Sequence, residues 1–152
     1  MSRITKVFVV FTKLSSMKLA SKGRIIPPPV LGQYPEMVSK EIQQWKDIIA
    51  ATHWEIHDRN APNGADFYVG ELELGHIHLD GELHVPSTRE FSQALLNAGL
   101  AQKFPYAANW IAFKIHDQPS ANHAIWLFEL HYKNLTGADT EQLLQSIADY
   151  PG

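Results

Sequence analysis

The stretch Glu71-Leu72-Glu73-Leu74-Gly75-His76-Ile77-His78-Leu79-Asp80-Gly81-Glu82-Leu83-His84-Val85-Pro86 alternates side-chain character on both sides of Asp80-Gly81. Asp-Gly between two alternating segments is a strong short-range signal for a β-hairpin. Side chains two apart on a strand share a face, so Leu72, Leu74, His76 and His78 are expected on one side and Glu71, Glu73 and Ile77 on the other. Taking the glutamates as the wetter side puts His76 and His78 on the drier, core-directed face, with Cα atoms about 6.6 Å apart at about 3.3 Å per residue. Two imidazoles at that spacing can converge on one small molecule or one ion. A buried pair needs hydrogen-bond partners, which makes two neighbouring ones costly to keep without a purpose.

The position of His84 depends on the turn. A two-residue Asp80-Gly81 turn pairs Leu79 with Glu82 and Ile77 with His84, which sets His84 opposite the pair and buries Leu83 and Val85. That register is the expectation. A three-residue loop would pair His76 with His84 and His78 with Glu82, assembling three imidazoles and a carboxylate on one side, and a slip of one residue exchanges the two outcomes. Only the second register supplies a local donor set for a metal ion. His53, His57, His116, His123 and His131 are scattered and read as ordinary surface or core residues.

Outward from the hairpin, Phe67 to Leu79 reads as one long alternating stretch, preceded by an Asn-, Pro- and Gly-rich loop over Asp58–Ala65 and a short strand at Trp54–His57. Pro35 and Glu36 open a helical pattern that runs to Ala51. Ser87 and Glu90 form a capping-box pattern for a helix that ends at Gly99. Trp110–His116 is an apolar strand. Pro119-Ser120 begins a helix to about Asn134, and a last helix spans Thr140 to about Asp149. Hairpins with flanking helices predict an α+β fold, a mostly antiparallel sheet with helices packed on one face, in a single domain over residues 35–152.

Residues 1–34 are different in kind. Ile4, Val7, Phe8, Phe11, Leu14 and Met17 recur every three or four positions, as on an amphipathic helix. Residues 1–24 carry six basic side chains, and no acid occurs before Glu36, so this arm is +6 and the rest of the chain −9. A helix packed on the domain, a peripheral membrane-surface helix and a transit-type targeting segment all fit that pattern. Pro27-Pro28-Pro29, Gly32 and Pro35 make a stiff connector. An acidic body argues against nucleic acid as a partner. The 152 residues include no cysteine, which excludes disulfides, thiolate metal sites and a cysteine nucleophile. No run of about 18 apolar residues exists to span a bilayer. The expected localisation is cytoplasmic, with the arm available to a membrane surface.

Glu73-Leu-Gly-His76-Ile-His78, followed by Leu83-His84, the helix ending at Ala98-Gly99-Leu100, Gln102-Lys103-Phe104-Pro105, the strand opened by Trp110 and the Ala- and Leu-rich helix before Tyr132, resembles the luciferase domain shared by fungal luciferases and many bacterial proteins. The resemblance covers about Glu71 to Leu135. It implies oxidation of an electron-rich hydroxypyrone or polyphenol-like substrate by molecular oxygen, with His76 and His78 as the catalytic pair and no tightly bound cofactor. Phe104 stands where fungal members carry a histidine before the proline, and the basic arm stands where they carry a membrane segment. A histidine near its ordinary pKa of about 6.5 suits the role of base toward an enol. His84, Lys103, Trp110 and Tyr106 are the candidate substrate-binding residues, the aromatic ones by stacking and Lys103 (with Arg89) by charge. A ligand-binding protein without turnover and a metal-binding protein are the competing readings.

Overall fold

The computed structural model describes Leu19 and residues 22–151. The amphipathic pattern from Ile4 to Met17 lies outside the described residues. The elements are α1 (Gln33–Gln43), β1 (Ile48–Trp54), β2 (Pro62–Val69), β3 (Leu72–His78), β4 (Glu82–Pro86), α2 (Arg89–Asn97), β5 (Gln102–Lys103), β6 (Trp110–Lys114), α3 (Gln118–Leu135) and α4 (Thr140–Asp149). The six strands form one antiparallel sheet in the order β1-β2-β3-β4-β6-β5. This is the expected α+β arrangement. Among the described residues no helix is long and apolar enough to cross a membrane.

Apolar side chains of one sheet face meet the helices. Leu74 and Ile77 of β3 and Leu83 and Val85 of β4 are buried with Val38 and Ile42 of α1, Phe91 and Leu95 of α2, Leu127 and Phe128 of α3, and Ile147 of α4. Burial of large side chains of this kind contributes about 1.5–3 kcal/mol each. Helices α2, α3 and α4 start where side-chain oxygens satisfy free N–H groups. Asp117 and Ser120 form a reciprocal capping box on α3, and Asp139 caps α4. Strand β1 is an edge of the sheet, and the segment that leads into α1 lies along it. That segment runs beside β1, where the amide of Thr52 donates to the Ile26 carbonyl at 2.9 Å and the Trp54 indole donates to the Arg24 carbonyl at 2.9 Å.

Several expected boundaries are corrected. Helix α1 ends at Gln43, not Ala51, because Asp47 adopts φ 65° and Ile48 and Ile49 enter β1. The spacing of Trp45, Ile48 and Ile49 mimics a helical face, but β-branched residues suit a strand equally well. The expected short strand at Trp54–His57 is only the end of β1. The expected loop over Asp58–Ala65 already contains the start of β2, and the stretch Phe67–Leu79 is two strands reversing at Gly70, which has φ 61°. Thr88, not Ser87, caps α2 by accepting from the Phe91 amide at 3.0 Å. Ser87 instead donates its hydroxyl to Nε2 of His131 at 2.7 Å. Strand β5 was not anticipated at all.

The correction that decides the site lies in β3. Phe67 of β2 pairs with Gly75, yet Tyr68 pairs with Glu73, so Leu74 is an extra residue in the ladder, a β-bulge. The bulge resets the alternation. Leu74 and Ile77 face the helices, whereas Glu73, His76 and His78 all face the opposite side. A Cβ at Gly75 would point into the core, 2.8 Å from the Phe128 ring and 2.9 Å from the His84 carbonyl oxygen, which is why a residue without a side chain stands there. His76 and His78 are therefore not on the core-directed face with Leu72 and Leu74.

Candidate functional site

Four strands deliver the side chains that gather on this second face. His76 pairs with His84 across β3 and β4, and Ile77 with Leu83, so the loop is Leu79-Asp80-Gly81 and not the expected two-residue turn. The amide of Gly81, at φ 91°, donates to the His78 carbonyl at 2.9 Å, and Asp80 Oδ1 accepts from the Glu82 amide at 2.9 Å. Burial of Leu83 and Val85 favours the two-residue register only if His76 and His78 share their face. Once the bulge turns Ile77 to the core, Leu83 beside it is buried in the observed register instead.

The result is a cluster of imidazoles. Nδ1 of His84 lies 3.2 Å from Nε2 of His76 and 3.1 Å from Nε2 of His78. His53 at the end of β1 stacks on His76, with ring centroids 4.0 Å apart and planes 12° apart. Nitrogen atoms of His53, His76 and His78 lie within 4.8 Å of one another. His53 is thus part of the site, contrary to its reading as an ordinary residue. Sequence spacing could not reveal this, because the β1–β2 register that sets His53 opposite Gly64 is tertiary information.

The outer nitrogens of these rings are anchored. His76 donates from Nδ1 to Glu73 Oε2 at 2.7 Å, and His53 from Nδ1 to Asp66 Oδ1 at 2.7 Å. Asn63 contacts Nδ1 of His78 at 3.0 Å. Both carboxylates are buried, and they share Lys22, whose Nζ is 3.2 Å from Glu73 Oε1 and 3.7 Å from Asp66 Oδ1. Tyr68 donates its hydroxyl to Asp66 Oδ2 at 3.1 Å, and burial, then the charges of Asp66 and Glu73, push its pKa well up. None of these four supporting residues, Lys22, Asp66, Tyr68 and Glu73, was among the candidates. Glu73 lies on the expected face, away from the helices, but it is buried there and joined by His76 and His78, and the bulge-making glycine beside it is the available signal.

Burial, followed by the neighbouring His53 and Lys22, holds the pKa of His76 well below its ordinary value. Burial and His53 lower His78, and burial, then His78, brings His84 down to about 4. These rings are neutral at pH 7 and present lone pairs. The expectation of a base at its ordinary pKa of about 6.5 is corrected accordingly: each ring is a weaker base than a free histidine and a better neutral donor atom.

Aromatic side chains border the cluster on the β4–β6–β5 side. Phe104 lies 4.2 Å from the His84 ring, Trp110 lies 5.9 Å from His76, and Tyr106 lies 5.5 Å from Phe104 and is 87% exposed. The structure therefore brings Trp110 and His84 to the site, with Tyr106 at its rim, and adds Phe104. Lys103 is exposed on β5, paired with Ile111 on β6, and makes no ion pair among the described residues. Arg89 is exposed at the start of α2. Neither is joined to the cluster. A separate surface groove of about 380 Å³, lined by Ile25, Ile26, Pro27, Pro28, Gln43, Ile48 and Ala50, has no titratable side chain and is not the candidate site.

Bulge, histidines, hairpin, β5, β6 and most of α3 fall in one continuous segment. Residues 71–131 match the luciferase domain. The match covers less than half of the chain, and over that segment the chain is similar to the luciferase domain. It begins at the strand that carries the bulge and ends at His131. His53, Asp66 and Lys22, which complete the cluster, precede the matched part of the luciferase domain. No curated protein and no solved structure matches the chain significantly.

Proposed function

We propose that this protein belongs to the luciferase-domain family and oxidises an electron-rich hydroxylated small molecule, of hydroxypyrone or polyphenol type, with molecular oxygen at the histidine cluster. One observation carries the reading: imidazoles gathered on the sheet face away from the helices lie directly beside the rings of Phe104 and Trp110. A flat ring stacked on those side chains would bring a hydroxyl to the imidazole nitrogens, at a contribution of about 0.5–1.5 kcal/mol per aromatic contact beyond buried area. Loss of the hydroxyl proton at the cluster leaves an anion that can give an electron pair to oxygen. A carbon–oxygen bond forms, the carbon is oxidised, the oxygen is reduced to the peroxide level, and the proton returns to the peroxide. The anchored outer nitrogens keep the rings oriented through that sequence.

The basic, amphipathic sequence pattern of residues 1–24 supports a second element of the reading, a peripheral contact with an anionic membrane surface that would suit a sparingly soluble substrate.

The test is oxygen uptake with a panel of hydroxypyrones and polyphenols, with products followed by mass spectrometry. Uptake that tracks substrate loss, reduced at least about 100-fold in a folded His78→Gln variant, is the expected result (a loss of roughly 2.7 kcal/mol). Saturable ligand binding with oxygen uptake at background would overturn it in favour of a binding protein.

A further inference from the structure

We propose that the histidine cluster binds one divalent first-row transition-metal ion, with His53, His76 and His78 as its donors. The inference rests on the geometry and chemistry of these side chains and does not require the oxidative reading.

Distance is the first argument. An ion about 2.0–2.1 Å from each imidazole nitrogen sets neighbouring donors about 2.9 Å apart at right angles and about 3.4 Å apart at the tetrahedral angle. Two donors of one ion are at most about 4.2 Å apart, and nitrogen atoms of His53, His76 and His78 already lie within 4.8 Å of one another, so small ring rotations bring them round one ion.

Protons supply the second. Glu73 takes the N–H of His76 on Nδ1, so Nε2 of that ring carries a lone pair. Asp66 does the same for His53. Among the three facing nitrogens of His76, His78 and His84, one N–H can lie between rings without meeting another, and it must serve two contacts. Lone pairs therefore outnumber protons at the centre, and a cation held there relieves their mutual repulsion.

The third argument is the support behind the rings. Imidazole ligands commonly donate their other nitrogen to a carboxylate, and His76–Glu73 and His53–Asp66 have that form. Two buried carboxyl groups share the single ammonium of Lys22, so with both ionised this set is one positive charge short. Burying an uncompensated charge is costly, and a dication repairs the deficit. An all-nitrogen donor set without thiolate suits Zn²⁺, Fe²⁺, Co²⁺ or Ni²⁺ better than Ca²⁺ or Mg²⁺.

Co²⁺ is the probe, because its visible ligand-field bands report coordination directly. The full chain is stripped with a chelator and titrated with Co²⁺ without substrate. The expected result is saturation at one equivalent, loss of the bands in His76→Ala and His78→Ala, and retention in His116→Ala, whose side chain is exposed and remote from the cluster. Circular dichroism checks folding; if the buried His76 variant fails to fold, the half-buried His78 variant decides. Glu73→Gln keeps every ligand but removes the anchor, and its affinity should fall about 10–100-fold. Absence of bands in the unmodified chain, or unchanged bands in folded His78→Ala, overturns the proposal. Because neither substrate nor turnover enters the titration, its outcome is separable from that of the oxygen-uptake test.

Discussion

Glu73 and His76 are three residues apart on one strand and yet face each other, with Nδ1 of His76 donating to Oε2 of Glu73 at 2.7 Å. In a regular strand residues three apart point to opposite sides of the sheet. The extra residue at Leu74 makes the contact possible, and Gly75 makes the bulge fit under Phe128. The orientation of Glu73, His76 and His78 on one face follows from that one irregularity.

Gly75→Ala should therefore damage stability and site together. Its Cβ would lie 2.8 Å from the Phe128 ring and 2.9 Å from Val85 Cγ2, overpacking that typically costs about 1–3 kcal/mol. At about 2–4 °C per kcal/mol for a domain of this size, thermal unfolding should show the loss plainly. A variant that unfolds at the same temperature as the parent would show that the strand can shift without penalty.

Lys22 should be coupled energetically to Glu73. Removing the ammonium in Lys22→Met leaves two buried carboxyl groups facing each other, a loss of about 1–3 kcal/mol. Lys22→Met combined with Glu73→Gln should recover part of it, which a double-mutant cycle on denaturant unfolding measures directly. Strictly additive effects would mean that the contact contributes nothing to folding.

Much of this architecture was legible in the residues, and the exceptions have physical reasons. Thr140–Asp149 has an Asp cap before it and clear amphipathic spacing, and α4 has those bounds. The hairpin at Asp80-Gly81, the strand at Trp110 and the one-faced helical layer also follow from local pattern. The face of His76 and His78 does not, because one bulge inverts every side chain after it, and the register of His84 was misjudged through the same error. The part of His53 in the cluster depends on the pairing of β1 with β2, a long-range contact to which local periodicity is blind.

The aromatic border should act on substrate affinity. Phe104→Ala removes a ring 4.2 Å from His84 without touching a nitrogen of the cluster. With a turned-over hydroxypyrone or polyphenol, KM should rise about 2- to 13-fold with kcat little changed, the signature of lost uniform binding. A fall in kcat at constant KM would assign Phe104 to orienting the reacting atoms instead.

Residues 1–24 should respond to salt. If the basic arm holds the chain on an anionic surface, co-sedimentation with phosphatidylserine-containing vesicles should weaken as ionic strength rises and vanish when residues 1–18 are deleted, which leaves Lys22 in place beside Glu73. Equal recovery at low and high salt would remove the electrostatic part of the reading.

His131 offers a pH test away from the cluster. The ring is buried on α3, donates from Nδ1 to the Leu127 carbonyl at 2.7 Å and accepts from Ser87, and burial lowers its pKa to about 4. The unfolded chain keeps the ordinary value near 6.5, so between those two values the unfolded state binds more protons than the folded one. Stability is accordingly complete above about pH 6.5 and declines as pH falls toward 4, by up to about 3 kcal/mol from this ring. His76, His78 and His84 are also lowered and add slope of the same sign, so the informative quantity is the difference between the parent and His131→Gln. The variant should be less stable at pH 7, where it loses packing and the Ser87 bond, but its stability should fall less steeply between pH 6.5 and 4.5. Parallel curves for the two proteins would mean that His131 is already protonated when folded, with Ser87 accepting from it.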